Sequence, residues 1–158
     1  MEKAVFAAGC FWHVQEAFDR VRGVGSTTVG YTGGHTVDPT YKQVCTDKTG
    51  HAEAVEVEFD PSSVSFDELL EVFWDIHDPT TLNRQGPDVG SQYRSAIFYL
   101  TPEQKDSATR AKEREQSSGR HSGRQVVTEI VSAGPFYPAE EYHQKYFRKT
   151  GTASCGLF

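Results

Sequence analysis

Between Lys3 and Leu100 the hydrophobic pattern moves between the two-residue period of strands and the 3.6-residue period of helices. The order is strand, helix, strand, strand, helix, strand, and it matches the split βαβ, or ferredoxin-like, arrangement. The segments are Lys3–Ala8, Phe11–Val21, Thr27–Tyr31, His51–Phe59, Ser65–His77 and Arg94–Leu100. Phe11, Val14, Ala17, Phe18 and Val21 keep helical spacing, and Gly23 and Gly25 end that helix. Ser65 with Glu68 forms a capping box for the second. Thr101-Pro102-Glu103-Gln104 opens a third helix, Gln125–Val131 reads as a fifth strand and Ala139–Phe147 as a last helix. The expectation is an α+β sandwich: a ferredoxin-like core with a mixed sheet, extra helices and long irregular loops. Residues 1–158 are expected to form a single domain, with 149–158 a mobile tail.

A net charge of −6 and the lack of a basic stripe argue against nucleic acid or an anionic membrane as partner. The Lys and Arg residues between Arg110 and Arg124 are interleaved with Glu113 and Glu115, which reads as a solvated helix face. No apolar run approaches the ~18 residues that span a bilayer. Ala7-Ala8-Gly9-Cys10 has the look of a lipoprotein cleavage site, but the segment before it carries Glu2 and lacks an apolar stretch of export length, so no export signal is expected. Three cysteines cannot make a disulfide framework at this length, which points to a reducing compartment, the cytoplasm.

Two of those cysteines lie near opposite ends of the chain. Cys10 follows the first strand and starts a helical pattern, where unpaired backbone N–H groups and the helix dipole favour a thiolate. Cys155 lies in Thr-Ala-Ser-Cys-Gly-Leu-Phe, a tail able to visit a distant site. Such a pair is the minimum equipment for thiol redox catalysis through a disulfide. On the third strand, Glu53 shares a face with Val55, Val57 and Phe59, while Ala54, Glu56, Glu58 and Asp60 take the solvent side. A carboxyl among apolar neighbours stays protonated to higher pH and can donate a proton. The alternation equally fits an ordinary rim residue at a fraying strand end, and Cys10 with Phe11 and Trp12 equally fits plain core. Two connections, Thr32–Gly50 and Asp78–Tyr93, are long enough to suggest function. A cysteine hydrolase and a redox-sensitive peptide-binding module are the readings from other classes.

Four motifs go further. Gly9-Cys10-Phe11-Trp12, Gly50-His51-Ala52-Glu53, the stretch Gln85-Gly86-Pro87-Asp88-Val89-Gly90-Ser91-Gln92-Tyr93-Arg94-Ser95, and Phe136-Tyr137-Pro138-Ala139-Glu140-Glu141-Tyr142-His143-Gln144 closely resemble the type A peptide methionine sulfoxide reductases, in that family's order. The resemblance implies that Cys10 attacks the sulfoxide sulfur and becomes a sulfenic acid, while Glu53 protonates the sulfoxide oxygen. It implies that Tyr41 and Tyr93 hydrogen-bond that oxygen, that Asp88 supports them, and that Phe11 and Trp12 wall the substrate methyl group. Cys155 would then close a disulfide on Cys10, to be reduced by thioredoxin or another dithiol. The substrates implied are methionine-S-sulfoxide, free or in proteins, so that the enzyme repairs oxidised proteins; a monomer is expected. Cys45 is expected to be a spectator.

His13, Gln15 and Pro87 depart from the family pattern, which has glycine, an acidic residue and a polar residue at these places. Cys45, His51 and His35 are zinc-type ligands without the short paired spacing of zinc sites, so no metal or cofactor is expected.

Overall fold

The sheet is built on the expected alternation, with additions at both edges. In the computed structural model, which describes residues 1–151, β1 (Glu2–Ala8), α1 (Phe11–Asp19), β2 (Val24–Thr32), α2 (Tyr41–Val44), β3 (Ala52–Phe59) and α3 (Phe66–Asp75) come first. A two-residue pair, β4 (Arg84–Gln85) and β5 (Asp88–Val89), precedes β6 (Ser95–Tyr99), α4 (Pro102–Ser117), β7 (Glu129–Ser132), β8 (Phe136–Pro138) and α5 (Tyr146–Thr150). The six-stranded sheet runs β7-β6-β1-β3-β2-β8. Its middle, β6-β1-β3-β2, is antiparallel throughout and has the ferredoxin-like order. β7 adds to β6 in parallel and β8 adds to β2 antiparallel, which makes the sheet mixed.

The two faces are packed unequally. One carries the main core, where Phe6 stacks on Phe18 at 5.1 Å and meets Phe73 at 5.4 Å, with Val55, Val57, Phe59, Leu69 and Leu70 around them. The other buries a smaller cluster, Val5, Ala7, Ala52, Ala54, Ala96 and Phe98. Ala54 is thus buried rather than solvent-facing, because the segment around Phe136 covers this side of β3. Glu56 and Glu58 stay half-exposed and pair with Lys3 across the strand.

Three parts of the sequence reading change. α2 forms inside the 32–50 connection, where Thr40 and Gln43 make a reciprocal capping box that a loop assignment overlooked. The fifth sheet strand begins at Glu129, not Gln125; its predecessors are held by single bonds, Val126 N–H to Gln116 Oε1 and Val127 N–H to the Pro79 carbonyl. No helix spans 139–147. There Ala139 N–H donates to the Val29 carbonyl, and the Gln144 side chain accepts from Val29 N–H and donates to the Val29 carbonyl. The segment completes the edge of β2, makes one 3-10 turn at Glu141–His143 and becomes α-helical only in α5. Of the expected tail, Lys149 and Thr150 close α5, and residues 152–158, with Cys155, lie outside the described residues.

Candidate active site

Cys10 sits where β1 turns into α1. Gly9 has φ +94°, a left-handed conformation that reverses the chain in one residue, and Cys10 becomes the N-cap of α1. Glu53, at the start of β3, is 2 % exposed and reaches the same helix end: its Oε1 accepts the Phe11 N–H at 3.2 Å. Among the described residues its Oε2 is buried and has no hydrogen-bond partner. Burial pushes the Glu53 carboxyl well above the usual range, and the negative charge of Cys10 adds to that; the Phe11 N–H opposes it. A carboxyl held well above its usual range thus lies at the helix N-terminus that Cys10 caps, with one oxygen on the Phe11 N–H.

The two long connections bring the remaining polar groups to this point. Tyr93 is half-buried; burial raises its phenol above the ordinary value, and the charges of Glu53, Asp88, Cys45 and Cys10 all act in the same direction. Tyr41 responds to burial and then to Glu53, and its phenol is hydrogen-bonded to the Cys45 thiol. Asp88 is half-buried and raised by burial. Cys10, Glu53, Tyr41, Asp88 and Tyr93 are therefore near neighbours. The connections are tied together by Ser91, whose N–H and hydroxyl both donate to Asp47 Oδ1.

Phe11 and Trp12 follow Cys10 in the first turn of α1, and the Phe11 ring stacks on Tyr41 at 6.5 Å. Phe11 is buried against Tyr31 at 5.7 Å and His143 at 5.2 Å. Trp12 stacks face to face on Tyr146 at 3.8 Å, and its indole N–H donates to His143 Nδ1 at 2.9 Å. Because an indole nitrogen only donates, His143 Nδ1 must accept, which puts the proton of the neutral ring on Nε2. Burial lowers the His143 pKa, in keeping with that neutral ring; Glu140 opposes it.

Sequence reasoning missed Glu140, His143 and Tyr146 as parts of this wall, although the motif around Pro138 held the first two. Glu140 Oε1 accepts the Tyr31 hydroxyl at 2.8 Å and Oε2 accepts the Tyr41 N–H at 2.9 Å. Burial alone would raise its carboxyl, but the Tyr41 N–H, its own backbone N–H, the Tyr31 hydroxyl and His143 together more than offset it and hold the group below its usual value. The departures point away from the reacting groups. His13 Nε2 bonds the Ile76 carbonyl at the end of α3, and the Gln15 amide bonds Thr27 and the Lys145 N–H. Pro87 is exposed at the tip of the β4–β5 hairpin. Cys45 is at the rim; partial burial of its sulfur raises its pKa, with Glu53 and Glu140 acting the same way and the Tyr41 hydrogen bond against. His51 has both ring nitrogens engaged, with Gly34 N–H and the Thr36 carbonyl, and so is not disposed to bind a metal.

Comparison with known proteins shows the family. The family model described as peptide methionine sulfoxide reductase matches residues 2–157. The peptide methionine sulfoxide reductase MsrA of Geobacter sulfurreducens is 61 % identical over 155 residues, covering 98 % of this chain and 95 % of that protein. The MsrA of Methanothermobacter thermautotrophicus is 60 % identical over 156 residues, covering 99 % and 92 %. Methionine sulfoxide reductase A of Corynebacterium diphtheriae superposes with a TM-score of 0.91 at 39 % identity, covering 99 % of this chain and 78 % of that one. Reduced Mxr1 of Saccharomyces cerevisiae gives 0.90 at 33 % identity over 98 % and 88 %. A structure of Mxr1 in complex with Trx2 shares the fold, with a TM-score of 0.65 at 24 % identity.

The fold and these relatives define an oxidoreductase. The chain belongs to the peptide methionine sulfoxide reductase family.

Proposed function

We propose that Cys10 and Glu53 carry the family's reaction in this chain. The Cys10 thiolate attacks the sulfoxide sulfur as Glu53 passes its proton to the sulfoxide oxygen. A bond forms between Cys10 Sγ and the substrate sulfur, and the protonated oxygen leaves as the sulfur–oxygen bond breaks. The hydroxide so released attacks Cys10 Sγ, the sulfur–sulfur bond breaks with methionine as leaving group, and Cys10 is left as a sulfenic acid. The cysteine sulfur loses two electrons and the substrate sulfur gains them. A sulfoxide is a poor electrophile until its oxygen is protonated, and general acid catalysis supplies typically ~10²–10⁴ in rate. The observation that carries this reading is the buried Glu53, with one oxygen on Phe11 N–H and the other without a partner among the described residues, at the helix end that Cys10 caps.

Tyr41, Tyr93 and Asp88 would hold the sulfoxide oxygen, and Phe11 and Trp12 would take the methyl group. The resemblance to type A enzymes supports the S epimer as substrate. In the second half-reaction the Cys155 thiol attacks the Cys10 sulfenic acid, forming the disulfide and releasing water. A dithiol protein of the thioredoxin class would reduce it, in line with the solved complex of the yeast relative with Trx2. Cys45 is a weaker candidate for recycling because its thiol is held protonated. We infer a monomer acting in a reducing compartment, the cytoplasm.

The test is a single turnover of reduced protein with each methionine sulfoxide epimer, without added reductant, followed by intact mass and disulfide mapping. Methionine from the S epimer alone, with loss of two hydrogens at Cys10 and Cys155, is the expected result. No methionine and an unchanged mass would return the chain to the hydrolase and binding readings.

A further inference from the structure

Gln85 is a buried amide in β4, and among the described residues its three side-chain hydrogen bonds fall within its own connection. Its Oε1 accepts the Asp78 N–H at 2.9 Å, and its Nε2 donates to the Asp78 carbonyl and to Thr81 Oγ1 at 3.2 Å. One peptide's donor and neighbouring acceptor are both satisfied, so the amide has one possible orientation. The stem of the same side chain lies against Gly9: a Cβ built there would stand 2.8 Å from Gln85 Cγ and 3.0 Å from Gln85 Cβ. Gly9 is the left-handed residue that delivers Cys10 to the head of α1. Across the hairpin Gln85 pairs in register with Asp88, and the Gly90 N–H to Asn83 carbonyl bond closes its base.

We propose that Gln85 is a positioning residue for sulfoxide reduction, fixing the turn that presents Cys10 against the hairpin that carries Asp88. This rests on the reading of Cys10 as nucleophile and Asp88 as a substrate-pocket residue. The stem registers Gly9 by contact, and the amide stops the hairpin from sliding along it. Both functions are needed because β4 and β5 have two residues each and too few ladder bonds to hold a position alone. Neither Glu, which cannot donate, nor Met, which makes no such bonds, can replace the amide at this shape.

The experiment compares wild type, Gln85→Met and Gln85→Glu in single turnover over a range of methionine-S-sulfoxide concentrations. Peptide-resolved alkylation of Cys10 by iodoacetamide and the thermal midpoint are measured alongside. Met keeps the stem on Gly9 and loses the bonds, so the half-saturating sulfoxide concentration is expected to rise about tenfold while Cys10 alkylates within about twofold of wild type. Glu should follow the same direction. Half-saturation within about twofold of wild type in folded variants would overturn the proposal, as would failure of both variants to fold, which would make Gln85 purely structural. If wild type forms no methionine and Cys10→Ser is indistinguishable from it, the reading of Cys10 fails instead, whatever Gln85 does.

Discussion

The Glu53 carboxyl accepts the Phe11 N–H, the first amide of the helix that Cys10 caps, at 3.2 Å. A single hydrogen bond thus fixes the acid to the same helix end that Cys10 caps. Burial dominates at Glu53 and pushes its carboxyl well above the usual range, while the charge of Cys10 pushes it the same way and the Phe11 N–H opposes.

Glu53→Gln keeps an oxygen for Phe11 N–H and loses the transferable proton. Methionine formation in a single turnover should slow by about 10²–10⁴. Formation of the Cys10–Cys155 disulfide with a chemical oxidant should be unaffected, since it needs no acid. An unchanged reduction rate would leave Glu53 a structural residue.

The same substitution should stabilise the fold at neutral pH. Unfolded, the carboxyl titrates near its ordinary 4.5; folded, well above. Between those values the folded state keeps a proton that the unfolded state has released, so this group's contribution falls as pH rises through the window. The Gln variant lacks that loss. Urea unfolding at pH 4 and pH 7 should show its advantage over wild type growing with pH, by at most about 1.4 kcal/mol per pH unit. An advantage that is constant across the range would deny that Glu53 is held neutral.

Cys155→Ser should give about one methionine per enzyme in the presence of a thioredoxin-class reductant, because the sulfenic acid then lacks its partner. Continued cycling would move recycling to Cys45 or to direct attack by the reductant.

What the sequence revealed and what it hid divide along physical lines. Glu53 was visible as the inward position of an alternating strand, since period two fixes which face a side chain takes. Cys10 was visible as the first residue of a helical pattern. The wall made by His143 and Tyr146 against Trp12 was not, because it is formed by packing residues more than 100 positions apart onto α1, and no local period encodes that. Ala139–Phe147 carried helix-like spacing, yet tertiary bonds to the Val29 backbone prevailed over propensity. α2 was missed because four residues are too few to show a period, although its capping pair was in plain view.

His77 bridges α3 and β6: its Nδ1 bonds the Phe73 carbonyl at 2.6 Å and its Nε2 the Ser95 hydroxyl at 2.7 Å. Burial lowers its pKa from 6.5 to about 4; Phe73 and Asp78 oppose this, while His121 and His13 reinforce it. Between those values the unfolded chain binds a proton that the folded state refuses, so stability falls as pH drops through the window. His77→Asn keeps the donor to Phe73 and cannot titrate there. Its unfolding free energy should depend less on pH than that of wild type between 4 and 6.5, the two slopes differing by at most about 1.4 kcal/mol per pH unit. Equal slopes would show that His77 is charged in the folded protein.

Glu140 offers a sharper separation of shape from charge. Its two oxygens serve two different donors, the Tyr31 hydroxyl and the Tyr41 N–H. Glu140→Gln can still accept from Tyr41 N–H with its oxygen and donate to the Tyr31 hydroxyl, which turns round to accept. Glu140→Ala strands both groups, at about 1–3 kcal/mol for each one left unsatisfied, and frees the turn that carries Tyr41. The Gln variant should therefore reduce methionine sulfoxide within about threefold of wild type. The Ala variant should need at least about tenfold more sulfoxide for half-saturation, with Cys10 alkylation unchanged. If Gln is as damaging as Ala, the negative charge of Glu140 acts on the site directly, and its role is electrostatic rather than one of holding Tyr41 in place.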